Sequence, residues 1–207
     1  LFQQTKVGTS WELKKTVGLK EAKGTRNKAK LAVSGSLEEI EFGFYDQSLQ
    51  FKKLEECPLH MSGLNELLPY LKTKLKDFTI PPYNVSEKRG ELKYVILSRT
   101  KEKEEFLLRF VLRSKESLDR LKKMAALLEK ERPSLKVITA NIQPEHKAVL
   151  EGEEEIVLSQ EQNITHSFGN VHVNLGPRSF FQVTPTMAQE LYEAAGRLVK
   201  ETNVQTF

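Results

Sequence analysis

Cysteine is all but missing from these 207 residues: Cys57 stands alone, so no internal disulfide can form. A lone thiol favours a reducing compartment, and a cytoplasmic location is expected. Long apolar runs are missing too. The longest, such as Tyr94 to Leu97, have the length of a strand, far below the ~18 residues of a membrane-spanning helix, so no membrane partner is expected. Repeats and low-complexity tracts are absent, which excludes a solenoid. An initiator methionine is lacking at Leu1, as is any signal-peptide pattern, so a piece of a longer protein is expected. What remains is ordinary: 39% apolar and 29% charged residues, a composition that excludes collagen-like, mucin-like and disordered classes. A monomer with a buried core of its own is expected.

The net charge of +4 is unevenly spread. Residues 1–30 hold eight Lys/Arg against two Glu, and residues 84–113 hold eight against five acidic residues. Two basic segments on a near-neutral body point to a polyanion contact or to a solvated surface.

Alternation from Arg26 puts Asn27, Ala29, Leu31 and Val33 on one strand face and Arg26, Lys28, Lys30 and Ala32 on the other. Strands follow near Ile40–Tyr45 and Leu49–Leu54. Leucines at helical spacing predict a helix over Leu59–Lys76, and Leu92–Ser98 and Phe106–Arg113 read as strands. Ser114 is the expected N-cap of a second helix, with a stripe of Leu118, Leu121, Ala125 and Leu128, stopped by Pro133. Strands are expected at Lys136–Gln143, Ala148–Leu150 with Glu154–Leu158, and Val171–Asn174. A last helix starts at Thr184-Pro185 with Ala188, Leu191, Ala195 and Leu198 as its buried stripe. This order predicts an α+β fold, a mostly antiparallel sheet with two covering helices. The expected division is a basic segment (1–25), a central α+β domain (26–170) and a lead-in strand and helix (171–207).

Six strings occur in order: Arg26-Asn27-Lys28-Ala29-Lys30, Glu56-Cys57-Pro58-Leu59, Pro82-Tyr83-Asn84-Val85 with Lys88-Arg89-Gly90-Glu91-Leu92-Lys93-Tyr94, Leu108 to Ser114, Asn141-Ile142-Gln143-Pro144, and Ser179-Phe180-Phe181-Gln182. Together they resemble the bacterial RNA uracil-C5 methyltransferases, most closely the RumB-type 23S ribosomal RNA enzymes, from about Arg26 onward. The resemblance implies a parent enzyme that moves a methyl group from S-adenosyl-L-methionine to C5 of a uridine in 23S ribosomal RNA. In that family a cysteine thiolate adds to C6 of the uracil and a base later removes the C5 proton. Those groups belong to a C-terminal Rossmann-like domain whose glycine-rich loop is expected beyond Phe207. Neither that loop nor the family's Asn-Pro-Pro and Ser-Cys-Asn strings occur here. The chain is therefore expected to be the RNA-recognition portion, inactive alone.

The resemblance also assigns residues. Cys57-Pro58 matches the fourth ligand of the family's 4Fe–4S cluster, whose three upstream cysteines are missing here. Gln182 corresponds to a methyl-donor contact, and Phe180 lies near the target base, with Phe180 and Gln182 sharing one face of a short strand. Thr184 and Thr25 depart from the family's Asn and aromatic at those places. Three basic clusters are the expected RNA contacts: Arg26, Lys28 and Lys30; Lys88, Arg89 and Lys93; Arg109 and Arg113. The four histidines show no metal-ligand spacing, and Glu151 to Glu155 reads as a solvated turn. Two readings compete: a non-enzymatic RNA-binding module, and a scaffold whose basic face holds acidic proteins.

Overall fold

The computed structural model describes residues 15–145 and 150–202. A seven-stranded sheet has the order β3(Phe51–Lys53), β2(Ile40–Tyr45), β1(Lys28–Gly35), β4(Leu92–Arg99), β5(Phe106–Leu112), β6(Leu135–Ile142), β7(Glu154–Val157). Every neighbouring pair is antiparallel except β5 and β6, which are joined by the helical crossover that parallel neighbours require, α2(Leu118–Glu131). A separate hairpin, β8(Ile164–Phe168) with β9(Val171–Leu175), leads into α3(Pro185–Thr202). The mostly antiparallel α+β architecture is as expected.

Period-two alternation explains why one face of the sheet is dry. Leu31 and Val33, Val95 and Leu97, Leu108 and Phe110, and Ile138 and Ala140 all join one core. The leucine stripe of α1(Leu64–Asp77) and the Leu121, Met124, Ala125 and Leu128 stripe of α2 complete it. The opposite face carries Lys28, Lys30, Ala32, Tyr94, Arg109, Thr139 and Asn141. At one end Ile164 and Leu175 of the hairpin pack on Leu107 and Val137, and in the middle the segment from Glu151 to Glu155 lies over Arg109 and Asn141.

Several expectations move. α1 starts at Leu64, not Leu59, because the preceding backbone is committed elsewhere. Arg26 N–H donates to Leu59 O (2.8 Å), and His60 bridges Arg26. Gly63 at φ 82° then opens the helix, where a Cβ would sit 2.7 Å from the Phe106 ring. Ser117, not Ser114, precedes α2, since the Ser114 hydroxyl donates to the Glu91 carboxylate (2.8 Å). β8 was not expected, although Ile164, His166 and Phe168 alternate. The α3 stripe is not buried as expected: Ala188 is, but Leu191 and Leu198 are each 58% exposed. Part of the strand expected at Ala148–Leu150 lies outside the described residues.

Candidate nucleic-acid interface

The helix-free face is organised around a buried ion pair. Arg109, in the middle of β5, is 2% exposed. Its Nε donates to both Glu155 oxygens (2.8 and 3.0 Å), one terminal nitrogen to Glu151 Oε2 (2.5 Å), and the other to Glu155. Thr139, the β6 partner of Arg109, donates to Glu155 Oε1 (2.6 Å), and Asn141 Nδ2 donates to Glu155 Oε2 (2.9 Å). Asn141 also accepts from Gly152 N–H (2.7 Å). The loop lies so close there that a Cβ on Gly152 would fall 1.8 Å from Ile142 O. Burial pushes the guanidinium down, but Glu155 and Glu151 more than reverse this and hold it above its ordinary value. Burial likewise opposes the charge on Glu151, yet Arg109 and Lys30 hold its carboxyl below the usual range.

Arg109 is therefore corrected from an expected phosphate contact to a buried partner of two glutamates. Glu151 and Glu155 are corrected with it: they are its counter-ions rather than a solvated turn. Asn141 opens one of the six strings, but its role beside Thr139 at this ion pair went unnoticed, although polar residues at alternate positions of an otherwise apolar strand were the available signal.

Arg113 is also engaged. It donates to Gly90 O (3.1 Å) and, through Nη2, to the buried Glu91 (2.9 Å), with Glu116 at 3.4 Å. Lys93 is buried, its ammonium donating to Gln143 O (2.8 Å), to the Gln143 amide and to Glu145 O, and lying 5.0 Å from the Tyr83 ring centroid. Burial lowers its pKa. Neither side chain has the free, solvated charge expected of it, because buried backbone carbonyls and Glu91 need these donors.

Four cations remain exposed, with Lys28 half-buried beside them. Lys88 and Arg89 sit in the hairpin turn closed by Asn84 N–H donating to Arg89 O (2.7 Å). Arg26 precedes β1, and Lys30 makes one half-exposed pair with Glu151 at 3.3 Å. Burial, then the neighbouring Lys30, lower the Lys28 pKa. Arg26, Lys28 and Lys30 share one face as alternation dictates.

The segment between β9 and α3 is coil, not the expected strand. Ser179 and Gly176 close a turn through two 3.0 Å hydrogen bonds. Arg178 ties it to the Gly152 loop (3.1 Å to Gly152 O). Phe181 turns inward, its ring centroid 4.6 Å from His166 and 5.4 Å from Phe168. Phe180 is 85% exposed and lines a cavity of about 750 Å³ with Phe168 and Tyr192. Gln182 is exposed and opens instead onto a separate cavity of about 580 Å³ lined by Thr184 and Leu191. The two residues thus lie on neighbouring but different cavities. Asn27 N–H donates to Val183 O (2.9 Å), which fixes the Gln182 segment to the start of β1 and its cations.

Cys57 is half-buried in a turn held by Asn65: its carbonyl accepts from Asn65 Nδ2 (3.0 Å), and Asn65 Oδ1 meets His60 Nδ1 at 2.9 Å. A 4Fe–4S cluster takes about four thiolates. The chain has one, and no group of three His, Cys, Asp or Glu able to hold a metal occurs among the described residues. The residues present do not fit that cluster. For S-adenosyl-L-methionine, Gln182 fits as one contact and not as a site. Among the described residues no helix is long and apolar enough to cross a membrane.

No protein-family model matches the chain. A 23S rRNA (uracil(747)-C(5))-methyltransferase of Xenorhabdus nematophila is 38% identical over 206 residues, all of this chain and 54% of the relative. The protein of the same name from Cronobacter sakazakii is 45% identical over 170 residues, 82% of this chain and 45% of the relative. The chain thus spans about half the length of the curated relatives it matches. Among solved structures, the Pyrococcus abyssi tRNA (uracil-54, C5)-methyltransferase in complex with S-adenosyl-L-homocysteine shares the fold. Its TM-score is 0.70 at 22% identity, over 86% of this chain and 42% of that one.

Proposed function

The chain belongs to the RNA uracil-C5 methyltransferase family, and we propose that it is the RNA-recognition portion of an S-adenosyl-L-methionine-dependent 23S rRNA uracil-C5 methyltransferase that makes 5-methyluridine. The observation that carries this reading is the backbone bond from Asn27 to Val183. It sets the cation row Arg26, Lys28 and Lys30 directly beside the exposed Phe180–Gln182 segment. Side chains on one strand face repeat every ~6.6–6.8 Å, a spacing suited to successive phosphates of an extended strand.

In this reading the cations neutralise phosphates, and Phe180 offers an open ring to an unstacked base. Gln182 supplies an amide to the methyl donor. The donor brings the transferable methyl group, and the residues of this chain position the RNA. Arg109 acts from behind: with Glu155 it holds the loop to which Arg178 is bonded, and so fixes where Phe180 begins. The test is paired. Filter binding should show this chain retaining a 23S rRNA fragment, while calorimetry shows no heat with S-adenosyl-L-methionine. Tight donor binding, or no RNA binding, would overturn the assignment.

A further inference from the structure

The helix-free face carries a second recess at the other end of β1, and the site above makes no use of it. Its floor is the end of β1, Val33 to Gly35. Next to it Ala32 faces Gly43 across β1 and β2 and Tyr94 across β1 and β4. A Cβ on Gly43 would fall 2.1 Å from Lys52 O and 2.7 Å from the Phe51 ring, so the Phe51 ring lies close over the strand there. One wall is aromatic: Tyr45 and Phe51 are cross-strand partners with ring centroids 5.6 Å apart at 69°. Tyr94 and the Asn84–Ser86 hairpin form the other. The recess measures about 730 Å³.

We propose that this slot takes an unpaired base of single-stranded RNA, as an aromatic stacking station in line with the Phe180–Gln182 segment. It rests on the RNA reading above. Three features select this occupant. Aromatic walls accept any base face, which is how sequence-tolerant stacking works. Lys88 and Arg89 project from the hairpin whose other residues wall the slot. Lys28 and Lys30 precede Ala32 on the same strand face, so one line of β1 runs from Val183 past two cations into the slot. From Asn27 to Ser34 that line spans about 23 Å, several nucleotides of extended strand. Glu145 also lines the recess, beside Lys93, whose ammonium donates to its backbone carbonyl.

The experiment uses the full 207-residue chain and a fluorescein-labelled single-stranded oligouridylate. Tyr45→Leu and Tyr94→Leu keep the apolar volume and remove the ring. Each should weaken binding about 5- to 100-fold, the worth of one lost stacking partner, and leave the salt dependence unchanged. Tyr45→Phe and Tyr94→Phe should bind as the native chain does. A second measurement is independent of folding in the variants: 4-thiouridine in the oligonucleotide should photocross-link the native chain within residues 45–51 or at Tyr94. Unchanged affinity in both leucine variants, cross-links confined to other segments, or displacement of nothing but an apolar peptide from the slot would overturn the proposal. Native chain that binds no RNA at all refutes the RNA reading itself. Salt-dependent binding indifferent to Tyr45 and Tyr94 refutes the slot alone.

Discussion

Replacing Arg109 by methionine isolates the buried ion pair at the centre of the helix-free face. The guanidinium makes four hydrogen bonds to Glu155 and Glu151, and the Glu155 side chain is only 11% exposed. Methionine fills similar space but leaves the Glu155 carboxylate buried with Thr139 and Asn141 as hydrogen-bond donors and the exposed Arg178 at 3.8 Å. Removing one partner of a buried pair costs about 3–5 kcal/mol, a large share of the roughly 5–15 kcal/mol that holds a domain together. In a chain of this size that corresponds to a fall in Tm of about 6–20 °C. Urea unfolding followed by circular dichroism should show the loss as a lower midpoint at unchanged slope. Arg109→Met with Glu155→Gln removes the more buried carboxylate as well and should recover more than half of it, because the less buried Glu151 keeps Lys30 at 3.3 Å.

Acid titration probes the same network. The folded-state pKa of Glu151 lies below its ordinary value, so its contribution is complete above the usual carboxylate range and fades as pH falls through the folded value. That limb should flatten in Arg109→Met. A variant within about 0.5 kcal/mol of the native chain, as for an ordinary surface change, would refute the claim that Arg109 is structural.

Burial, opposed by Glu102 and aided by Lys101, lowers the His166 pKa from 6.5. The unfolded chain therefore binds more protons, and stability should fall as pH drops below about 6.5, a step that His166→Phe abolishes in urea titrations at successive pH values. Phe180→Ala should leave Tm unchanged, since the ring is 85% exposed, but should weaken oligouridylate binding; a drop in Tm would mean the ring is packed. Anaerobic reconstitution with iron and sulfide should give no 4Fe–4S absorbance attributable to Cys57, and stoichiometric cluster that disappears in Cys57→Ser would contradict the ligand count.

Much of the fold was legible because alternation and leucine spacing are local. Ile40–Tyr45 was read to the residue, and β1, β4, β5 and β6 to within two. What failed was whatever depends on a distant partner. Arg109 and Arg113 look alike in sequence, each preceded by a leucine in an apolar run, and nothing local says that Glu155 and Glu151 neutralise the first and Glu91 the second from distant segments. Lys93 was misjudged for the same reason: its charge is spent on carbonyls fifty residues away. Arg26, Lys28 and Lys30 kept their expected face because period-two geometry alone determines it. The aromatic slot escaped notice since Tyr45, Phe51 and Tyr94 come from three strands whose order the sequence does not announce.

Cations of β1 that meet RNA phosphates must make binding depend on salt. Three to six neutralised phosphates give a slope of roughly −2 to −5 in log affinity against log salt. Lys28→Ala with Lys30→Ala should flatten that slope by about 1 to 2. A native slope near zero, or a double variant with the native slope, would contradict the account.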